Sequence, residues 1–133
     1  MRTIKFRGKR LDNGEWVFGS LDMTEEKPAI SLIRTDEDGE KVPWFAFVYA
    51  ETVGQFTGML DKNGKEIYEG DIVKYYDDIE DELVSSHVIY HEPSCSFCAA
   101  ATELCGDVTG LNACWQFEVI GNIFEKGGTN DIA

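Results

Sequence analysis

Long apolar runs are missing from this chain: nothing in its 133 residues approaches the roughly 18 consecutive apolar positions a membrane-crossing helix needs. Proline is scarce at three residues, and no Pro- or Ser-rich stretch reads as a linker. Positive charge is in short supply, with 12 Lys and Arg against 25 Asp and Glu, a net charge of −13 and a pI near 4.4. Backbone affinity for nucleic acid comes from Lys and Arg displacing counterions, so direct nucleic-acid binding is not expected. The basic residues at the start, Arg2, Lys5, Arg7, Lys9 and Arg10, are followed by no apolar core or cleavage site, so they are not read as a secretory signal. They allow a local basic patch, and solvated strand and turn positions account for them as well. The expected location is the cytoplasm.

What is present is enough for a core. The apolar fraction is 43%, with eight Phe, five Tyr and three Trp. A chain of this length fits one domain over residues 1–133, and a weak seam at residues 51–57 allows two β subdomains, about 1–54 and 55–133. Period-two alternation dominates. Ile4 and Phe6 alternate with Thr3, Lys5 and Arg7; Trp16–Leu21, Ala29–Arg34, Val53–Gly58, Ile72–Tyr75, Val84–Tyr90 and Trp115–Phe124 read as further strands, with a bulge or tight bend at Gly121. Asn13-Gly14 and Asn63-Gly64 are hairpin signals, the first read as a type I′ turn with positive φ at both central residues. Trp44–Tyr49 is apolar throughout, which predicts a strand buried on both faces or lying in an interface. Ala99, Ala100 and Ala101 allow a short helix between Cys98 and Leu104. Many short strands with frequent turns give an all-β chain, a small barrel or a sandwich, with at most one or two short helices.

Three constellations bear on chemistry. Cys95 and Cys98 have the two-residue spacing that lets two thiolates share a zinc ion, with Cys105 and Cys114 as further candidate ligands and His87 or His91 as substitutes. The last two cysteines lie nine positions apart, so the paired spacing of a zinc ribbon is missing, and reduced thiols without a cofactor are the expected state. Ser85, Ser86, His87 and nearby carboxylates raise a hydrolytic triad, but no Gly-x-Ser-x-Gly elbow accompanies them, and no catalytic residue is assigned. Asp36-Glu37-Asp38, Asp77-Asp78 and Glu80-Asp81-Glu82 lack the order of a calcium loop. They read as a solvated face or, alternatively, as mimicry of DNA charge that blocks a host nucleic-acid enzyme.

The segment Gln55-Phe56-Thr57-Gly58-Met59-Leu60-Asp61-Lys62-Asn63-Gly64-Lys65-Glu66-Ile67-Tyr68-Glu69-Gly70-Asp71-Ile72-Val73-Lys74 resembles the signature of the YopX-like family. Ile4-Lys5-Phe6-Arg7-Gly8-Lys9 and Phe117–Glu125 resemble the family's two ends, in the same order. The resemblance implies phage or prophage origin, a β-rich fold with SH3-like barrel elements, and self-association. It supplies no catalytic residues and does not extend to the cysteine-bearing stretch of residues 93–112.

These readings converge on a non-catalytic accessory protein of a bacterial host cytoplasm that binds protein, including copies of itself. The interface candidates are Trp44, Phe45, Phe47 and Tyr49, since small β proteins have few other ways to shield such a run. A zinc-stabilised module or metal-dependent enzyme built on the cysteines is the remaining alternative.

Overall fold

The computed structural model describes residues 2–23, 26–78, 80–100, 108–111 and 116–125. The chain divides into two compact units, Met1–Phe56 and Thr57–Ala133. In the first, strands β1 (Phe6–Lys9), β2 (Trp16–Asp22), β3 (Ala29–Thr35) and β4 (Lys41–Phe47) run as an antiparallel meander. A 3-10 turn at Ala50–Thr52 then leads into β5 (Gly54–Leu60), which returns to pair with β1, so the order is β4-β3-β2-β1-β5. The meander curls until its ends meet: Arg10 bridges Val48, Tyr49 N–H donates to the Lys9 carbonyl at 2.9 Å, and Leu11 N–H donates to the Phe47 carbonyl at 3.0 Å. Thr52 fastens the turn, its Oγ1 accepting from Lys9 N–H and donating to the Tyr49 carbonyl. A four-strand meander closed by a fifth strand after a 3-10 turn is SH3-like topology.

The second unit follows the same plan. After the end of β5 and β6 (Glu66–Tyr68), strands β7 (Asp71–Asp77), β8 (Glu82–His91), β9 (Ser96–Ala100) and β10 (Val108–Gly110) form a meander, and β11 (Glu118–Asn122) pairs back on β7. The order β10-β9-β8-β7-β11 repeats that of the first unit strand for strand. Each unit has its own core. Val17, Ile30, Ala46 and Val48 fill the first; Ile67, Val73, Tyr75, Val88, Ala99 and Phe117 fill the second, where the Tyr75 and Phe117 rings meet edge to face at 5.0 Å. Burying one such aliphatic side chain contributes about 1.5–3 kcal/mol, so each unit carries its own stabilising payload.

Three expectations change. Cys98, Ala99 and Ala100 lie in strand β9 and not in a helix; residues 101–104 lie outside the described residues. Ala is a good helix former, but here the small side chains fill a tightly buried strand, and packing outweighs a preference worth under about 1 kcal/mol per residue. The Asn13-Gly14 hairpin is not type I′, because only Gly14 has positive φ. The loop has four residues, Leu11 to Gly14, closed by Gly14 N–H to the Arg10 carbonyl and Arg10 N–H to the Glu15 carbonyl, and only its glycine needs the left-handed region. The run Trp44–Tyr49 is not buried on both faces; it alternates, with Ala46 and Val48 inside and Phe45, Phe47 and Tyr49 outside. The bulge at Gly121 is present as a register shift between Val119 and Gly121 against β7.

Asp61 ties the second hairpin of the chain together. Its Oδ1 accepts N–H bonds from Asn63 (2.8 Å) and Lys65 (2.9 Å), and its Oδ2 accepts from Val119 on β11 (2.9 Å). Burial pushes this carboxyl up, but the three backbone donors and the Lys65 charge outweigh it and hold it below its ordinary range. Gly70, in the turn before β7, has φ of +89°, and a Cβ there would lie 2.7 Å from the Phe124 ring. Both residues belong to the long segment that resembles the family signature, and both roles are structural.

Candidate protein-interaction face

Strand register decides what the first unit shows to solvent. Residues paired across antiparallel strands share a face. Ile30 pairs with Ala46 and Leu32 with Trp44 on the core side. Ser31 therefore sits beside Phe45, Ala29 beside Phe47 and Ile33 beside Pro43 on the other side, where Ser20 of β2 also pairs with Ser31. Phe18, two residues before Ser20, joins this outer face. The exposed fractions are large: Phe45 58%, Phe47 37%, Tyr49 43%, Ile33 62% and Phe18 44%. The Phe45 and Phe47 rings stand edge to face at 5.4 Å, so the patch presents an ordered aromatic surface.

Of the four sequence candidates, Phe45 and Phe47 lie on this face, and Tyr49 is exposed just beyond the end of β4. Trp44 points to the opposite side, half-buried against the first core, with the Arg10 and Arg34 guanidiniums at 4.8 and 4.5 Å from its ring. Phe18 and Ile33 were missed because they come from other strands and join the patch only through register.

The basic start of the chain is also resolved by this geometry. Arg7 and Lys9 lie over the Trp16 ring at 4.7 and 5.6 Å, and Lys5 over Phe56 at 5.5 Å. Arg10 grips Asp12 through two bonds of 2.9 and 2.7 Å, and this side-chain pairing holds the Asp12 carboxyl below its ordinary range. These cations are committed to rings and a carboxylate and do not form a bare basic patch.

In the cysteine segment, Cys95 and Cys98 occupy different settings. Cys95 closes the 3-10 turn Glu92–Ser94 with φ of +51°, is exposed, and directs its thiol to the Glu92 carbonyl at 3.5 Å. Cys98 is buried in β9, its sulfur 3.6 Å from Ser96 Oγ. Cys105 and Cys114 lie outside the described residues. Among the described residues no three His, Cys, Asp or Glu side chains gather closely enough to hold an ion. His91 Nδ1 lies 2.7 Å from Ser94 Oγ at the turn. On β8, His87 and Ser86 face opposite sides of the sheet, and Ser85, two residues from His87, shares its side.

A cleft of about 310 Å³ in the second unit is lined by Lys62, Lys74, Tyr76, Asp78, Gln116 and Glu118 among others. Lys62 and Lys74 both reach Glu118 Oε1, at 3.5 and 3.6 Å, so its charges are largely matched within the wall. No helix among the described residues is long and apolar enough to cross a membrane.

Two SH3-like units, one with an exposed aromatic face, define an all-β protein in its described parts. The chain belongs to the YopX family: the model of the YopX protein matches residues 5–128. No curated protein matches the sequence. The crystal structure of protein EF1440 from Enterococcus faecalis is similar at 21% sequence identity, covering 92% of this chain and 94% of that one, with a TM-score of 0.49.

Proposed function

We propose that this YopX-family chain is a non-catalytic accessory module of phage or prophage origin that acts in the bacterial cytoplasm by binding protein. The working surface is the outer face of β2, β3 and β4. One observation carries the reading: four large apolar side chains from three strands, Phe18, Ile33, Phe45 and Phe47, stand exposed on one side of the sheet, with Tyr49 exposed just beyond β4, while the other side packs a core. Solubility alone does not call for such a face, and folding of this unit does not use it.

The test is a photoreactive phenylalanine analogue at position 45, with the same analogue at Glu37 in the exposed β3–β4 turn as control. In cells expressing the full chain, irradiation is expected to give a protein adduct from position 45 and not from position 37. Equal adducts from both positions, or none from position 45, would contradict the proposal. The DNA-mimic reading has less support: Asp77, Asp78, Glu80, Asp81 and Glu82 crowd one hairpin, whereas a duplex presents two regular rows of charge.

A further inference from the structure

We infer that the cleft in the second unit receives the free carboxyl terminus of a partner protein, one that ends in apolar residues and carries a basic residue three or four positions before its end. The cleft lies within the second unit, so this inference stands or falls independently of the aromatic face of the first.

Register sets the floor of the cleft. Glu118 on β11 pairs with Lys74 of β7, and Leu83 on β8 pairs with Tyr76. Residues paired across antiparallel strands share a face, so Lys74, Glu118, Tyr76 and Leu83 stand together on the side of the sheet away from Val73 and Val119, which face the core. Lys62 comes from the hairpin that Asp61 ties down. Its own N–H donates to the Phe117 carbonyl at 2.9 Å, and Asp61 accepts from Val119, so the hairpin is pinned on both sides of Glu118. Gln116, also in the lining, is exposed and has φ of +51°, a region that residues with a Cβ seldom adopt. The backbone at the lysine end is thus fixed before any ligand arrives, and the Gln116 amide offers both donors and an acceptor beside it.

The two ends of the cleft differ in charge. Lys62 and Lys74 approach Glu118 Oε1 at 3.5 and 3.6 Å, longer than the roughly 2.7–2.9 Å of a close charged hydrogen bond. Among the described residues Glu118 is the one carboxylate that pairs with either lysine. Two ammoniums about one carboxylate leave a positive charge unmatched and N–H donors unused, which suits a second carboxylate. Asp78 lies four residues from Lys74, about 13 Å along an extended chain, and adjoins the acidic turn Glu80-Asp81-Glu82. Tyr76 and Leu83 lie between these ends, largely exposed. An extended peptide covers the same span in about four residues. A terminal carboxylate at the lysines therefore lays apolar side chains on Tyr76 and Leu83 and brings a basic one to Asp78. Capture of a chain end through its carboxylate is a recurring mode of peptide recognition, and a volume of about 310 Å³ has room for a chain end. A basic segment is also what a chain of net charge −13 attracts. A phosphate is a poorer match, since its charge of about two exceeds the one positive charge left over.

The experiment is a titration of the isotope-labelled full chain with the peptide acetyl-Gly-Lys-Lys-Ser-Val-Phe bearing a free carboxyl terminus, followed by amide NMR up to about 1 mM peptide. Saturable shifts are expected, centred on Lys74, Tyr76 and Glu118. The same peptide with an amidated terminus is expected to bind about tenfold more weakly, because hydrogen bonds to a charged group are lost. Lys62→Ala and Lys74→Ala are each expected to weaken the free-carboxyl peptide about fivefold or more and to leave the amidated one nearly unchanged, a difference that a merely structural role of the lysines would not produce. Phe45→Asp in the first unit is expected to leave the affinity as in the wild type. The inference is overturned by the absence of saturable shifts, by equal binding of the two peptide forms, or by shifts centred outside the cleft. It is also overturned if binding survives both lysine variants or falls as far with Phe45→Asp. If it falls while position 45 still crosslinks to protein in cells, the binding module stands and the cleft is not its second site.

Discussion

Two aspartates in this chain make the same turn and should differ sharply in what they contribute. Asp36 and Asp61 each accept N–H bonds on Oδ1 from the residues two and four positions on, at 2.8 to 2.9 Å. Asp36 is exposed, so water replaces its acceptor when it is removed; Asp61 is buried and also bonds Val119, 58 positions away. Asp36→Ala is expected to cost about 0.5–1 kcal/mol, the net value of exposed turn hydrogen bonds. Asp61→Ala strands buried donors, Val119 N–H first, and is expected to cost about 3 kcal/mol. Asp61→Asn keeps one acceptor oxygen but turns an amide N–H₂ toward backbone donors, so it is expected to cost about 2 kcal/mol. The pH dependence has a definite sign. The folded carboxyl is lowered below its ordinary value of 3.8, so the unfolded state binds the proton more tightly. The advantage of wild type over Asp61→Asn is full above about pH 5 and shrinks as pH falls through the lowered folded value. Urea unfolding followed by circular dichroism from pH 7 to 2.5, with amide exchange at Val119, reads both effects. Equal costs for the two alanine variants, or an advantage that grows in acid, would refute the reasoning.

The other predictions follow from single observations. Gly70→Ala forces an alanine to φ of +89° against the Phe124 ring and is expected to lose about 2 kcal/mol, checked by thermal unfolding. Ile30→Ala and Ile67→Ala empty fully buried sites in separate cores and are each expected to lose 2–5 kcal/mol, approximately, with amide exchange rising mainly in the unit that carries the change. Arg34→Ala removes one guanidinium from Trp44 and is expected to cost less than about 1 kcal/mol while altering tryptophan fluorescence; Trp44→Ala, which also opens the core, should cost more.

The strands β2, β3, β7 and β8 were legible because each is rich in β-branched and aromatic residues and is bounded by turn signals. β9 was not, because Cys98-Ala99-Ala100 carries no β-branched residue and fits its place by being small. β4 looked doubly buried since both its faces are apolar, and only the pairing with β3 shows which side packs. The same limit applies to the candidate site. Phe45, Phe47 and Tyr49 could be picked from one run of sequence, but Phe18 and Ile33 join them through register between strands, a long-range property that local periodicity does not encode. Asp61 read as an ordinary turn residue; its bond to Val119 depends on how β11 returns to the hairpin.

Hydroxyl-radical footprinting of the full chain at working concentration measures whether the outer face is covered. Tyr76 and Leu83 of the second unit, 47% and 65% exposed, provide the internal reference for the five apolar residues of the first. If the face is a protein-contact surface, Phe18, Ile33, Phe45, Phe47 and Tyr49 are oxidised well below what their exposed fractions predict, and dilution or Phe45→Asp restores the rate. Oxidation that simply follows exposure at every concentration, in the purified chain and in lysate alike, would contradict the account.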